Sequence, residues 1–411
     1  MTPRAAYTRI GLALAGVVPG LVVALGPFEP PAPVGIAIFG LAIWCAATLL
    51  EWAAETAEMD ITGSLAMALL AIVAILPEYA VDVYLAFTAG TNQEYEAYAS
   101  ANMNGATRLL IGLALPLVVL VGISSRRRQA RRAGTEQRAS AIADWLDITH
   151  DHRGTMGFLA LGALIAVLAP LTAQVHAGLG GGLLIVFIVF LWYTSRGEVE
   201  EPNLVGVSAF LGTMAKGQRR AWVVAMFVVA AGTIGLGAEP FCDSLVETGH
   251  QLHINEALLI QWLAPLASEA PEFIIALTLA SRHNAAGAVL MLLTSMVNQW
   301  TALVGSLPFA FWLGGGTYSL PLDAHQVEEF LLTGSVTAVA LSLMIDLRIQ
   351  AFGCWFMLAV FAAEFALPDE HARLILAAIN AVAAVFFFIR GRRHIVPLLK
   401  TPFVKAPPKT G

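Results

Sequence analysis

Two short segments of this 411-residue chain match each other, and each places a glutamate directly after a proline inside a long apolar stretch. The pairs are Pro77-Glu78 and Pro271-Glu272. A carboxylate at the centre of a bilayer costs about 2.5–3.5 kcal/mol on insertion scales, and acids at this depth usually serve a function. Because this cost occurs twice in matching places, we expect the two glutamates to bind a cation.

Proline gives the backbone a way to join such a site. It has no N–H group and clashes with the carbonyl four residues earlier, so the turn before each glutamate loosens. The carbonyls near Val73 and Ala267 then become free to face the protein interior. A carbonyl beside a carboxylate forms a hard-oxygen site, which suits Ca²⁺ or Na⁺. A kinked helix with a protonated glutamate is the simpler alternative, and it explains one such segment better than two.

Other polar residues lie on the same helix faces. Asp82 follows Glu78 by one helical turn, and Glu269 precedes Glu272 by three residues. The apolar stretch after each Pro-Glu segment carries an asparagine, although isolated buried polar residues more often bond other helices than bind ions. The predicted cation-binding residues are Glu78, Glu272, Glu269, Ser268, Asn298, Asp82 and Asn104, with Glu78 and Glu272 as metal ligands.

Arg108 is the one basic residue predicted deep inside the membrane. It lies about eleven residues into its apolar stretch, which is about 16 Å by helical rise. A charge at this depth must be paired, and Asp82 and Glu78 are the expected partners. The pairing makes Arg108 either a structural salt bridge or a built-in cation that replaces one ion of the site.

Two further acidic stripes lie near predicted helix ends. Ordinary solvated helix ends are the simpler interpretation, and mouths that attract cations are the alternative. The stripes are Glu51, Glu55 and Glu58 in the second apolar stretch, and Asp243, Glu247 and His250 in the seventh.

The composition is that of a membrane protein. Apolar residues make up 58% of the chain and charged residues 13%, whereas about a quarter of a soluble domain is charged. The three cysteines form no CxxC pair, and no HExxH or phosphate-binding glycine motif occurs. We therefore expect the lipid bilayer as a partner, no nucleic acid, and no cofactor apart from a transported cation.

Twelve apolar stretches have the length of a membrane-spanning helix. They fall near residues 8–26, 33–57, 62–89, 97–123, 155–174, 179–194, 221–249, 255–281, 285–312, 327–345, 349–367 and 371–390.

Basic residues give these stretches an orientation. With the N-terminus in the cytoplasm, all Lys and Arg residues except Arg108 and Arg373 fall on the cytoplasmic side or in the C-terminal tail. This agrees with the positive-inside rule and predicts two cytoplasmic termini in the plasma membrane. The Pro-Glu segments lie in the third and eighth stretches, so they run in opposite directions, as in the inverted repeats of secondary transporters.

The predicted fold is all-α and polytopic, with two inverted five-helix repeats and additional terminal helices. Residues 1–26 could also be a cleaved signal peptide, but no clear A-x-A site precedes Pro27, which favours a retained helix. The segments are 1–32 for the N-terminal helix, 33–195 for the first repeat with a basic cytoplasmic loop at 124–154, 196–220 for a cytoplasmic linker, 221–367 for the second repeat, and 368–411 for the C-terminal helix and basic tail.

At these residues the chain resembles the calcium/cation antiporter superfamily, which includes sodium/calcium and cation/proton exchangers. That group carries Gly-Thr-Ser, a small or apolar residue and Pro-Glu in each inverted repeat, and 267–272 occupies the motif here. The resemblance covers about 33–367 and implies that Glu78 and Glu272 are the central ligands. The chain departs from the pattern, because 73–75 reads Val-Ala-Ile and Glu269 replaces a serine.

The expected function is secondary antiport rather than catalysis. A metal cation, Ca²⁺ or Na⁺, would exchange for H⁺ (or Na⁺) by alternating access at a midplane carboxylate site. The missing hydroxyls of the first repeat and the charge of Arg108 favour protons over sodium as the counter-ion. A cation channel is the main alternative and an intramembrane enzyme the weaker one; the oligomeric state stays open.

Overall fold

A computed structural model describes residues 2–60, 76–132, 144–149, 152–195, 204–282, 284–367 and 370–394. The helices are α1 (Pro3–Leu25), α2 (Ala32–Ala57), α3 (Leu76–Ala89), α4 (Glu94–Arg132), α5 (His152–Thr172), α6 (Ala177–Thr194), α7 (Gly206–Gly212), α8 (Lys216–Leu252), α9 (Glu256–Ser281), α10 (Ala285–Leu313), α11 (Ala324–Met344), α12 (Ala351–Ala366) and α13 (Glu370–Gly391). The strands are β1 (Trp145–Asp147), β2 (Gln174–His176), β3 (Ser319–Pro321) and β4 (Arg348–Gln350).

The all-α, membrane-spanning architecture is confirmed. Ten of the described helices are long and apolar enough to cross a membrane, and α12 is a shorter apolar helix. The predicted stretch 62–89 appears as α3 from Leu76 onwards, and its earlier part lies outside the described residues. Each of the other predicted stretches contains a helix.

The strands are a feature that the sequence did not indicate. Each has three residues and pairs antiparallel with one partner, β1 with β4 and β2 with β3. The first pair places Trp145 opposite Gln350. Such short ladders satisfy backbone groups where chain segments leave their helices.

The helices form two compact units. Unit 1 contains Met1–Met103, Leu191–Glu272 and Ala310–Thr317, and unit 2 contains Asn104–Phe190, Phe273–Phe309 and Tyr318–Gly411. These units group helices in space, whereas the predicted repeats divide the chain along its sequence.

In unit 1, α1 and α8 pack against α2. Glycines allow the close approach, since a Cβ at Gly35 would overlap the Ser244 hydroxyl and one at Gly20 would lie 2.5 Å from the Cβ of Ala42. The buried residues of this packing are Ile10, Ala13, Val17, Ala46, Leu49, Leu50, Ala53, Ala57, Val207, Leu211, Val223, Met226, Ala230 and Ile234.

In unit 2, α11 packs along α13, and α10 packs against α5 and α4. A Cβ at Gly122 in α4 would overlap that of Ala285 in α10. The buried indole of Trp300 in α10 donates a hydrogen bond to the Thr337 hydroxyl in α11 at 3.0 Å.

Two π-helical turns interrupt matching helices of the two predicted repeats. Leu109–Ala114 lies within α4 and Gln299–Leu303 within α10. A proline follows each turn, Pro116 and Pro308, and its missing N–H favours local rearrangement of the ladder. In contrast, α9 continues as α-helix through Pro271, where loosening was expected, and Val73 lies outside the described residues. π turns occur frequently at functional sites.

Candidate functional site

Glu78 and Asp82 lie on one face of α3 in unit 1. Both side chains are buried, and Asp82 is fully inaccessible to solvent. Neither carboxylate oxygen of Asp82 accepts a hydrogen bond from the described residues, although Asn102 of α4 lies beside it. A buried acid without such a bond is costly, so Asp82 is suited to take a cation or a proton.

The second Pro-Glu segment contributes three side chains to the same unit. Glu269 of α9 is buried, whereas Glu272 and Ser268 are half-buried. The Ser268 hydroxyl donates to the carbonyls of Ala264 and Pro265, both at 3.3 Å. Its proton is thus engaged by its own helix, and its oxygen lone pairs stay available to an ion.

A third helix brings acids that the sequence placed at a solvated end. The Glu51 carboxyl of α2 interacts electrostatically with Glu55, then with Glu272 and Glu269. The Oε2 atoms of Glu51 and Glu55 are inaccessible to solvent and accept no hydrogen bond from the described residues. Both glutamates therefore turn inward, and Glu51 belongs with the carboxylates of α9.

The stripe on α8 agrees better with an accessible helix end. Asp243 is exposed, and its Oδ1 accepts hydrogen bonds from the hydroxyls of Tyr84 at 2.8 Å and Tyr95 at 3.1 Å. Further along α8, His250 approaches Glu256 at 3.2 Å. These contacts join α8 to α3, α4 and α9 within unit 1.

The asparagines and the arginine of the predicted set lie in unit 2. Asn104 and Asn298 are buried, and each precedes the π turn of its helix in the sequence. Asn298 is the residue directly before its turn. In both helices a buried polar residue thus stands at the entrance of the irregular turn. The structure therefore brings Glu78, Asp82, Ser268, Glu269 and Glu272 into one unit, and Asn104, Asn298 and Arg108 into the other.

Arg108 has partners that the sequence did not predict. One guanidinium nitrogen pairs directly with Glu329 of α11, and another lies 3.8 Å from Glu364 of α12. Its Nε donates to the Asn104 carbonyl at 3.4 Å. Glu329 and Glu364 are thus acids that pair with Arg108 in the structure, and the expected pairing with Asp82 or Glu78 stays a prediction. This pairing favours the salt-bridge interpretation over a substitute for a transported ion.

An ion pair lies at the end of α2. Arg219 of α8 donates from Nε and Nη2 to the two carboxylate oxygens of Asp60 at 2.8 and 2.7 Å. These hydrogen bonds lower the pKa of the Asp60 carboxyl below its usual range.

Comparison with known proteins decides the family. The model of the sodium/calcium exchanger protein family matches residues 32–196 and 222–366. This chain belongs to the sodium/calcium exchanger family. It is also 32% identical to the H⁺/Ca²⁺ exchanger CAX, whose crystal structure covers 97% of this chain and 98% of its own with a TM-score of 0.88.

More distant structures share the fold of this exchanger. YfkE is 15% identical, with a TM-score of 0.59 over 91% of this chain and 99% of its own. The sodium-calcium exchanger NCX_Mj is 14% identical, with a TM-score of 0.51 over 82% and 98%. Among the curated proteins none matches the chain.

Membership establishes the general role of the chain. It is an integral membrane protein and a cation antiporter, in a family of transporters rather than enzymes. The two matched segments nearly coincide with the predicted repeats 33–195 and 221–367. α1 and α13 lie outside them and are additions to the region that the family model matches.

Proposed function

We propose that this antiporter exchanges Ca²⁺ for protons at a carboxylate site built around Glu78 and Glu272, by alternating access to the two sides of the membrane. The observation that supports the proposal is that both Pro-Glu segments carry buried acids and that these acids lie in unit 1. Glu78, Asp82 and Glu269 are each less than 7% exposed, and Glu272 joins them from α9.

The ligand chemistry supports a divalent cation. Carboxylates and neutral oxygens are the ligands of Ca²⁺, and the site offers both, since Ser268 adds a hydroxyl oxygen to the acids. In the described ranges no three His, Cys, Asp or Glu side chains form a ready metal-binding group. A cation would thus be held by few carboxylates together with neutral oxygens such as the Ser268 hydroxyl, whereas ligation by Asn104 and Asn298 stays a prediction.

The same acids supply the exchange with protons. A buried carboxylate can hold either a cation or a proton, and the two compete for the same lone pairs. One site that alternately faces each side then couples the two gradients. The first repeat lacks the hydroxyl ligands at 73–75 that would favour sodium, and the 32% identical relative is an H⁺/Ca²⁺ exchanger by name.

Flux measurements in proteoliposomes test this proposal. A proton gradient is expected to drive Ca²⁺ uptake, and Glu272→Gln is expected to abolish it, while the exposed-face variant Glu247→Gln retains it. Uptake that follows a sodium gradient and ignores pH would replace the proton by sodium. Continuous current without counterflow would show a channel instead of an exchanger.

The orientation of the chain is a separate proposal. We infer cytoplasmic termini in the plasma membrane from the distribution of Lys and Arg residues. Labelling of single cysteines at each terminus with a membrane-impermeant thiol reagent in intact cells tests it. Both termini are expected to react only after the cells are opened, and reaction in intact cells would reverse the orientation.

A further inference from the structure

Unit 2 contains a second group of buried charges, separate from the carboxylates of the proposed cation site. Glu329 of α11 is at its centre, because it pairs directly with Arg108 of α4 and lies 2.9 Å from Nε of Arg373 of α13. Glu364 of α12 approaches the group from the other side of Arg108. All four side chains are less than 9% exposed, so these charges interact in a medium of low dielectric.

The arrangement leaves Glu364 as the weakly held member. Its side chain is 2% exposed, and its ion-pair partner is Nη1 of Arg108 at 3.8 Å, beyond hydrogen-bonding distance. Its Oε1 accepts no hydrogen bond from the described residues. Glu329, by contrast, lies against both arginines. An ionised carboxylate without hydrogen bonds is expensive to bury, whereas the protonated acid is much less so.

The charges that face Glu364 come from few elements. α4 presents Arg108 and has no other charged residue between Arg108 and Arg126, and α11 presents Glu329. From α13, Arg373 reaches Glu329 and also donates to Nδ1 of His325 at 2.6 Å. That contact requires a lone pair on the imidazole nitrogen, so His325 adds no positive charge there.

Charge balance gives the group two stable forms. The arginines keep their charges at all relevant pH values, and Glu329 cancels one of them. With Glu364 ionised the group is neutral, and Arg108 must close the gap of 3.8 Å to hydrogen-bond it. With Glu364 protonated the group carries one net positive charge, and Arg108 stays with Glu329 as observed.

We propose that Glu364 is a proton-binding site in its own right, apart from the carboxylates that would bind the transported cation. The carboxylate takes one proton from water and becomes a carboxylic acid, and Arg108 changes its hydrogen-bonding partner without losing its own proton. This site goes beyond the proposed function, in which protons compete with the cation at Glu78 and Glu272.

Infrared difference spectroscopy of the purified protein tests this site without any transport measurement. Between low and high pH, in buffer free of transported cations, the wild type is expected to show a titrating C=O band of Glu364, beside any bands from the acids of the proposed cation site. Glu364→Gln removes that band. Glu328→Gln, which changes a buried acid adjacent to Glu329, is the matched control and retains it.

A third variant keeps the test decisive if Glu364→Gln does not fold. Arg373→Gln removes one positive charge, so the proton on Glu364 is held more tightly and the band titrates at higher pH. The assignment is overturned if the wild type shows no titrating band, or if every titrating band of the wild type persists in Glu364→Gln. It is also overturned if the band assigned to Glu364 is lost in Glu328→Gln or does not move in Arg373→Gln. Because no flux is measured, failure of the proposed exchange mechanism would not affect the assignment of Glu364. Failure of the Glu364 assignment would likewise not affect the proposed exchange mechanism.

Discussion

The two units of this antiporter bury acids in opposite ways. In unit 2, Glu329 and Glu364 lie against two arginines that the chain itself provides, Arg108 and Arg373. In unit 1, neither oxygen of the buried Asp82 accepts a hydrogen bond from the residues that the structure describes, although Asn102 lies beside it. The defined arginine pairs of unit 1, Arg219 and Arg220 with Asp60, lie at a helix end.

This difference separates permanent charges from exchangeable ones. A carboxylate that is paired with an arginine of the same chain is neutralised in every state of the protein. Removing one partner leaves the other charge buried and unpaired. A buried carboxylate with no built-in cation needs a proton or an ion from outside. We therefore expect a structural role for the pairs of Glu329, and we propose ion exchange for the acids of unit 1.

The largest effect on stability is expected at the centre of unit 2. Glu329→Gln removes the carboxylate that Arg108 and Arg373 share and should reduce the free energy of unfolding by about 3–5 kcal/mol. Thermal unfolding in detergent measures it, with Ser335→Ala, whose hydroxyl accepts a hydrogen bond from Asn380 at 3.3 Å, as a milder control in the same helix. Unchanged stability would show that the group of four charges is not a structural element.

The matching change in unit 1 is expected to act on transport instead. Glu272→Gln should lower exchange by about 100-fold, equivalent to about 2.7 kcal/mol at 1.36 kcal/mol per factor of ten. Its melting temperature should stay at or above that of the wild type, because the variant removes an acid from a cation site. A strong loss of stability, with residual flux in the folded fraction, would assign Glu272 to the structure rather than to the site.

Calcium should stabilise the folded protein through unit 1. At a free concentration of ten times its dissociation constant, one bound ion adds about 1.4 kcal/mol to the free energy of unfolding. Unfolding with and without Ca²⁺ measures this gain, which should vanish in Glu78→Gln and persist in Glu364→Gln. Loss of the gain in both variants would contradict the separation of the two units.

The smallest effect on stability is expected at the ion pair between Asp60 and Arg219. The pKa of Asp60 is lowered by Arg219, so the pair stabilises the fold above the unfolded-state pKa of about 3.9 and loses this contribution as the pH falls through the folded-state pKa. Asp60→Asn should thus be slightly less stable than the wild type at neutral pH, and the two should converge in acid. A difference in stability that does not depend on pH would exclude the charge as its cause.

Much of the fold follows from the sequence because apolar length is a local property. The twelve apolar stretches predict where the helices lie, and the repeated Pro-Glu step indicates which acids to examine. The family match then agrees with the predicted fold, whereas the roles of these acids stay predictions. Local pattern is sufficient here, since a helix buried in lipid must satisfy its own backbone.

The partners of Arg108 could not be found in this way. Glu329 and Glu364 lie more than 200 positions along the chain, and no helical period shows which helices become neighbours. The inward turn of Glu51 was missed for a related reason, because a helix end is solvated or covered according to what packs on it. The π turns had a signal, a proline beyond each asparagine in the same apolar stretch, but prolines inside apolar helices have several possible effects.

The pair between Arg373 and Glu329 also bears on how the chain enters the membrane. Arg373 and Arg108, the two basic residues outside the positive-inside pattern, are the two that contact Glu329. α13 therefore acquires a partner for its charge only after α11 has been synthesised and inserted. We expect α13 to pack onto α11 late in biogenesis. In chains that end before α13, Glu329 would lack the charge of Arg373, and we expect quality-control proteases to degrade such chains.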